Sequence, residues 1–227
     1  MSIIGSGLDI LFPEVPGMYQ EIQYIHMDNP TAAGSACFDL GIDLSEFSGF
    51  FKATTTFYLD SYSSLPGNYG FIFSYGRQND NVSGLEVTKT GVWEMRRARR
   101  VTIAGSSATT GAALDIELYD TAGTQYVKSN STTVVTGTEA GAFVAPGEVY
   151  VGGHVNYAGY ANLPGAYGRF TFSDANGVMA KAIPVKRKSD SAIGYLTINR
   201  YGYKQFHTVT AKGTISGTYI TAGPDVT

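Results

Sequence analysis

The carboxylates of one alternating stretch are the first candidates for chemistry in this sequence. Residues 114–120 read LDIELYD. Side chains two positions apart on a strand lie on the same face, so Asp115 and Glu117 could bracket a glycosidic bond, with Asp120 nearby. The same alternation is typical of a solvated sheet face opposite a buried one, and this interpretation is favoured. We therefore expect a protein that is not an enzyme, and a glycoside hydrolase built on Asp115 and Glu117 is the alternative.

A cluster of arginines gives the strongest local charge. Arg96, Arg97, Arg99 and Arg100 follow one another closely in a segment expected to be a strand. Since alternate residues point to opposite faces, the arginines would occupy both faces, and both faces cannot then be deeply buried. The cluster indicates a charged edge strand, a salt-bridged subunit contact or a site for an anionic glycan. Nucleic acid is not expected, because no aromatic platform interleaves with the arginines and the net charge is -3.

An internal repeat places tyrosines on two similar loops. Residues 62–73 read YSSLPGNYGFIF, and residues 160–172 read YANLPGAYGRFTF. In both copies Pro-Gly fits the centre of a type II turn, and an aromatic strand follows. If the loops leave the same rim, their tyrosines form a candidate surface for a sugar or a protein receptor. The candidate ligand-binding residues are Tyr62, Tyr69, Tyr160 and Tyr167. The alternative, that each ring packs on its own sheet edge, is favoured for the two that adjoin strands, Tyr69 and Tyr167.

The sequence contains no recognisable metal or redox motif. The three histidines are far apart, and none has a second ligand at metal spacing. Cys37 is the only cysteine, so no disulfide can form within the chain. No cofactor is expected, although calcium bound by loop oxygens remains an alternative. The loop residues that could serve are Asp60, Asp80 and Asn81.

Composition and periodicity predict an all-β chain. Charged residues make up 15% of the sequence, which has 28 glycines and 16 tyrosines. This composition is typical of many short strands joined by glycine turns. About a dozen predicted strands without helical crossovers favour an antiparallel β-sandwich of the jelly-roll type. No linker divides the chain, so we expect an N-terminal arm over residues 1–19, which could anchor the protein to a partner, and one sandwich domain over residues 20–227.

One stretch resembles a known family. Residues 182–196 read AIPVKRKSDSAIGYL, in which two apolar runs flank a charged turn. This order resembles the closing signature of the laminin-G-like, concanavalin A-like jelly-roll domains found in phage structural proteins and gut-bacterial surface proteins. Ser191 stands where that family usually has glycine, and Leu196-Thr197 replaces its usual Tyr-Asp. Residues 71–77, 168–172 and 219–224 resemble other parts of the family pattern.

Two residues of this stretch carry local predictions. Pro184 cannot donate to a strand ladder, so we expect it where its strand begins or has a free edge. Gly194 indicates a bulge or a close approach of another backbone.

The resemblance implies a role in a bacteriophage particle. We expect a virion structural or binding protein with a lectin-like sandwich, which could be a head or tail appendage, a decoration protein or a receptor-binding module. The alternative is a carbohydrate-binding module of a bacterial surface protein. Expected partners are other virion proteins, copies of this chain, and a cell-surface glycan or receptor.

The start of the chain bears on where the protein acts. Residues 1–7 read MSIIGSG, which lacks the basic region and apolar core of a signal peptide. No later apolar run approaches the length needed to span a membrane, so membrane insertion is not expected. We therefore expect assembly in the host bacterial cytoplasm into a virion, with the bacterial cell surface as the alternative location.

Overall fold

A computed structural model describes residues 17–28, 35–65, 67–76, 82–97, 101–140, 147–153, 161–212 and 220–227. Over these residues the chain consists of β-strands and one 3-10 helix, Leu44–Glu46. No helix of the described residues is long and apolar enough to cross a membrane. The strands are β1 (Tyr19–Glu21), β2 (Ile25–Met27), β3 (Ser35–Asp43), β4 (Phe51–Leu59), β5 (Tyr69–Gly76), β6 (Ser83–Thr88), β7 (Val92–Arg97), β8 (Val101–Ser107), β9 (Ala113–Thr121), β10 (Thr124–Ser129), β11 (Thr132–Gly137), β12 (Glu148–Gly152), β13 (Ala161–Asn162), β14 (Gly165–Asp174), β15 (Gly177–Arg187), β16 (Ile193–Asn199), β17 (Lys204–Thr208), β18 (Thr210–Lys212) and β19 (Ile220–Ala222).

The strands form two sheets that pack face to face. The larger sheet has the order β11-β10-β9-β4-β14-β15-β16-β17, with β1 added to β15, β2 to β14 and β19 to β2. The smaller sheet has the order β18-β3-β12-β5-β6-β7-β8, and β13 pairs with β5. Among these strands every pairing is antiparallel except the one between β13 and β5. The prediction of an all-β antiparallel sandwich is confirmed.

Aromatic side chains from both sheets fill the space between them. The ring of Phe51 on β4 stacks on that of Tyr75 on β5 at 4.4 Å, and Phe170 on β14 meets Phe73 on β5 at 6.0 Å. All four side chains are completely buried. Burying each such ring stabilises the fold by about 1.5–3 kcal/mol relative to leaving it exposed. These contacts hold the two sheets in one common core.

Strand β4 shows how the sequence separates the two faces of the larger sheet. Its residues read FKATTTFYL, and the first, third, fifth, seventh and ninth are buried. The intervening side chains, Lys52, Thr54, Thr56 and Tyr58, therefore line the outer face. The face that points away from the core is thus polar, with threonines between longer side chains.

The stretch that resembles the jelly-roll signature forms the hairpin of β15 and β16. Pro184 pairs with Tyr195, and Val185 with Gly194. An added Cβ at Gly194 would collide with the backbone oxygen of His207 on β17, so the strands approach closely here. Ser191, in the turn, has a φ of 60°, a left-handed conformation that favours glycine. This conformation explains why glycine suits the corresponding position of the family signature.

The N-terminal boundary of the sandwich differs slightly from the prediction. Residues 1–16 of the predicted arm lie outside the described residues. Tyr19, which the sequence-based boundary places in the arm, is the first residue of β1 and pairs with Arg187 of β15. Its ring lies 5.2 Å from that of Phe206 on β17. Tyr19 therefore belongs to the sheet.

Candidate functional site

Two adjoining cavities open on the outer face of the larger sheet. The first has a volume of about 460 Å³ and lies over β4, β9, β10 and β14. The second has a volume of about 480 Å³ and lies over β2, β4 and β14. Thr56 lines both cavities, so they adjoin, and we call them together the outer groove. Each volume is within the range of about 300–1,000 Å³ that small-molecule sites occupy.

The first cavity is polar because outward-facing threonines lie opposite acidic residues. Thr54 pairs with Glu117 of β9, and Thr56 with Asp115. The Thr56 hydroxyl donates a hydrogen bond to Asp115 Oδ1 over 3.1 Å. The Asp115 side chain is exposed at the surface of the cavity. The arrangement offers hydroxyl donors and a carboxylate acceptor on a shallow floor.

Glu117 is held in place by three neighbours. Its Oε2 lies 2.7 Å from Lys52 Nζ, and its Oε1 accepts hydrogen bonds from the Tyr126 hydroxyl at 3.0 Å and Lys128 Nζ at 3.5 Å. Partial burial disfavours the charged form, but the hydrogen bonds from Lys52 and Tyr126 outweigh it and lower the pKa of the Glu117 carboxyl. Glu117 is therefore a fixed, ionised acceptor.

The second cavity has aromatic walls and a floor of small residues. Tyr58 of β4, which is 38% exposed, and Tyr24 form its walls. Ala113, Ala166 and Gly168 lie beneath them. Because an added Cβ at Gly168 would come within 2.7 Å of the Thr56 backbone oxygen, a larger residue would disturb both the floor and the strand pairing. A flat apolar ligand face could enter this space and contact the tyrosine rings.

A histidine with two acidic neighbours closes the end of the second cavity. His26 Nε2 lies 2.7 Å from Asp60 Oδ2, and His26 Nδ1 lies 3.8 Å from Asp28 Oδ1. His26 and Asp60 both line the cavity. This end adds polar groups beside the apolar floor.

An aromatic cluster extends the outer face beyond the polar cavity. The rings of Tyr119 and Tyr126 stack at 5.0 Å with an interplanar angle of 8°, and Phe50 packs on Tyr119 at 5.0 Å. Lys128 Nζ lies 4.7 Å above the Tyr126 ring. Burial and the neighbouring Glu117 carboxylate raise the pKa of Tyr126 to about 12, so its hydroxyl keeps its proton. The cluster fixes the side chains that border the first cavity.

The paired tyrosine loops are brought together, but not as a four-tyrosine surface. Ala161 of β13 pairs with Gly70 of β5, which places the two loops side by side at one rim. Tyr167, however, is completely buried, and its hydroxyl donates to the Leu163 carbonyl over 2.5 Å. The expectation that Tyr167 contacts a ligand is wrong, because its ring faces the core of the sandwich.

The other three tyrosines of that expectation differ in their surroundings. Tyr62 is half-buried and packs against Gly91 and the core. Tyr69 is half-buried under the Arg96 guanidinium, which lies 4.5 Å from the ring centre. Tyr160 lies outside the described residues. A binding role for these three tyrosines stays a prediction.

The two arginines of the cluster that the structure describes, Arg96 and Arg97, are largely buried, contrary to expectation. Arg96 Nη2 lies 2.8 Å from Oε1 of Glu86, a side chain with no exposed surface. Arg97, on the opposite face, is 4% exposed, and its Nε lies 2.8 Å from Asp120 Oδ1. The prediction that both faces cannot be buried is wrong, since a carboxylate inside the fold meets each guanidinium. Arg99 and Arg100 lie outside the described residues.

The three candidate catalytic carboxylates do not converge. Strand β9 pairs with β4 and β10 without a bulge, so alternation is kept along its length. Asp115 and Glu117 therefore face outward, whereas Asp120 faces the core beside Arg97. Asp115 and Glu117 thus share one face, as the alternation predicts, but Asp120 does not join them.

Metal and thiol chemistry find no support among the described residues. In that part of the chain, no group of three histidine, cysteine, aspartate or glutamate side chains is arranged to hold a metal ion. Of the loop residues considered for calcium, Asp60 contacts His26, and residues 80 and 81 lie outside the described ranges. Cys37 is buried, and burial raises the pKa of its thiol to about 12, which leaves it unreactive.

Sequence reasoning misses most of the outer groove. The alternation of β4 is readable and indicates that Thr54, Thr56 and Tyr58 face outward. The strands that pair with β4 cannot be predicted from the sequence. Tyr24 and Ala166 are distant from β4 in the sequence and reach the groove only through strand pairing. Pairing of β14 with both β2 and β4 brings them together.

The fold matches solved structures, although no family model and no curated protein matches the chain. A proposed carbohydrate-binding protein from Bacteroides ovatus has a TM-score of 0.57 and 11% identity over 86% of this chain and 60% of its own. The CBM40 of Ruminococcus gnavus IT-sialidase bound to α2,3-sialyllactose has a TM-score of 0.51 and 13% identity over 66% of this chain and 88% of its own. Its complex with α2,6-sialyllactose matches with a TM-score of 0.51 and 14% identity over 66% and 89%.

The fold is shared with carbohydrate-binding β-sandwiches. At these identities the likeness concerns the fold, and the chain spans only 60% of the length of the Bacteroides chain. The expected jelly-roll architecture agrees with these matches. The expected virion role receives no support from them.

Proposed function

We propose that the protein is a non-catalytic carbohydrate-binding module whose ligand lies in the outer groove. The observation that carries the proposal is that a tyrosine-walled cavity adjoins, at Thr56, a cavity of hydroxyl and carboxylate groups. A sugar ring has an apolar face, which suits Tyr58 and Tyr24, and a belt of hydroxyls, which suits Asp115 and Thr56. The fold likeness to carbohydrate-binding proteins supports the proposal.

The groove is better suited to binding than to hydrolysis. A glycosidase needs a carboxylic acid whose pKa is raised so that it can protonate the leaving oxygen. Burial tends to raise the pKa of Glu117, but the hydrogen bonds from Lys52 and Tyr126 outweigh it, so the pKa is lowered. Asp120, the carboxylate whose pKa burial does raise, lies on the other face of the strand.

Replacing one wall of the groove tests the proposal. Tyr58→Ala should weaken binding of a glycan found on a glycan array by about tenfold, which corresponds to about 1.4 kcal/mol of lost stacking. Titration calorimetry measures the change. Tyr201→Ala is the matched control, because Tyr201 is 65% exposed and lies outside the groove. The proposal fails if no glycan on the array binds, or if both variants bind like the wild type.

A virion receptor-binding module is the second candidate. The resemblance of residues 182–196 to domains of phage structural proteins favours it, and glycan recognition would serve such a module equally well. Localisation in a particle, oligomerisation and contacts with other virion proteins remain part of this proposal. Mass spectrometry of purified phage particles tests it, and absence of the chain from every particle fraction would remove this candidate.

A further inference from the structure

The cations of the polar cavity already have carboxylate partners within the chain. Lys52 and Lys128 share Glu117, at 2.7 and 3.5 Å. Arg169 of β14 contacts Glu21 of β1. An acidic sugar would have to compete with these partners for each positive charge. Such competition removes most of the gain that a new ion pair could give at an exposed site.

The remaining carboxylates make the outer groove slightly negative. Asp115 is exposed in the first cavity, and Asp60 and Asp28 flank His26 at the far end. Lys181, opposite Thr171 in the strand register, adds one more cation at the border. Among the described residues that line the two cavities, two cations (Lys128 and Arg169) face three carboxylates (Asp60, Asp115 and Glu117). The bordering residues Lys52, Lys181, Glu21 and Asp28 add two charges of each sign. A ligand carboxylate close to one of these acids would be repelled by it.

The shape of the groove sets a minimum ligand length. The tyrosine-walled cavity can hold one ring over the floor of Ala113, Ala166 and Gly168. The polar cavity, which begins at the shared Thr56, offers hydrogen-bonding groups to a neighbouring ring. A single sugar would occupy part of one cavity and leave the other to water.

We infer that the outer groove binds a neutral oligosaccharide of at least two sugar residues and discriminates against sialylated or other acidic glycans. The inference rests on the proposed function and specifies the ligand class of the same site. With this ligand preference the chain would differ from the Ruminococcus module, which is bound to sialyllactose in two of the matched structures.

The direct test titrates the full chain with matched neutral and acidic sugars. The neutral probes are lactose and the cello-, malto- and xylo-oligosaccharides of one to six residues, and the acidic probe is sialyllactose, which contains lactose. Binding of at least one neutral series should tighten about tenfold or more between one and three residues. Sialyllactose should bind no more tightly than lactose. Neutral binding should also change less than twofold between 50 and 500 mM salt, because no ligand charge is screened.

A charge variant sharpens the test. Asp115→Asn should reduce the preference for the neutral sugar over sialyllactose, because it removes a repelling carboxylate while keeping the side-chain shape. Glu46→Gln is the control, since Glu46 is exposed and lies outside the groove. An unchanged preference in Asp115→Asn would count against the charge argument.

The outcomes separate the inference from the proposed function. If sialyllactose binds tenfold more tightly than lactose and Tyr58→Ala weakens that binding, the groove binds glycans but the inferred class is wrong. If a single sugar binds as tightly as its trimer, the inferred length is wrong. If no sugar of any charge binds, the proposed function itself fails.

Discussion

The two faces of strand β9 place similar carboxylates in opposite situations. Glu117, on the outer face, has a quarter of its side chain exposed and is surrounded by two lysines and a tyrosine hydroxyl. Asp120, three residues later on the inner face, has no exposed surface and contacts Arg97 and the Tyr75 hydroxyl. The pKa of Glu117 is lowered, whereas burial raises that of Asp120 to about 6. Position relative to the core, more than residue type, decides what each acid can do.

The inner acid is part of a polar network that links the two sheets. Asp120 accepts from Arg97 Nε at 2.8 Å and from the Tyr75 hydroxyl at 3.0 Å, and both partners belong to the smaller sheet. Arg97 Nη1 also donates to the Glu139 carbonyl over 3.1 Å. Gln125 of β10 donates to that carbonyl and accepts from the Glu139 backbone amide. This network is structural, whereas the outer groove is the region for which we propose a binding role.

The largest expected effect comes from breaking the inner pair. Asp120→Ala leaves the Arg97 guanidinium buried without its carboxylate, so the free energy of unfolding should fall by about 3–5 kcal/mol. Replacing both partners, Arg97→Met with Asp120→Leu, should recover a large part of that loss. Urea denaturation measures both variants. An Asp120→Ala protein within about 1 kcal/mol of the wild type would show that the pair contributes little.

The titration of the two acids gives the next contrast. Carboxyl carbon chemical shifts followed by NMR should give Asp120 a midpoint near pH 6, because burial outweighs the opposing effect of Arg97, and should give Glu117 a midpoint below its ordinary value of 4.5. A midpoint for Asp120 below that of Glu117 would reverse the comparison.

The sign of the stability effect follows from these midpoints. Folded Asp120 holds its proton up to about pH 6, while the unfolded chain releases it near 3.8, so this group lowers the free energy of unfolding as pH rises between those values. Glu86, whose pKa is raised by burial to about 7, acts in the same direction. His207, whose pKa is lowered by burial to about 4, acts in the opposite direction below its ordinary value of 6.5.

The fold is predictable because its signals are local. Alternation along residues 114–120 is enough to separate the two faces of β9, and the close backbone approach expected at Gly194 is confirmed. Pro184 is expected at a strand start or a free edge, but it lies within β15, between the stretch that pairs with β14 and the stretch that pairs with β1. Pro184 lies in the short gap between these two pairings, so its missing N–H interrupts neither of them.

The candidate site is less predictable because it depends on contacts between distant strands. Tyr58 and Tyr24 come to line the same cavity only after β14 has paired with both β4 and β2. Arg97 finds its carboxylate on a different sheet, 23 residues away. The repeat that draws attention to Tyr167 marks a buried structural tyrosine, since the loops of the repeat pack against each other and against the core.

The smallest expected effect on stability comes from the outer acid. Glu117→Gln removes the ion pairs with Lys52 and Lys128, but exposed pairs contribute about 0–1 kcal/mol, so the free energy of unfolding should fall by no more than that. The amide can still accept from Tyr126, which keeps the side chain in place. Urea denaturation and sugar titration on the same variant separate the two faces of β9. We expect near-wild-type stability with weaker glycan binding. Lys52 and Lys128 lose the carboxylate that holds them in place, so the polar groups around the first cavity become less well ordered. A loss of stability close to that of Asp120→Ala would show that the outer acid is as structural as the inner one.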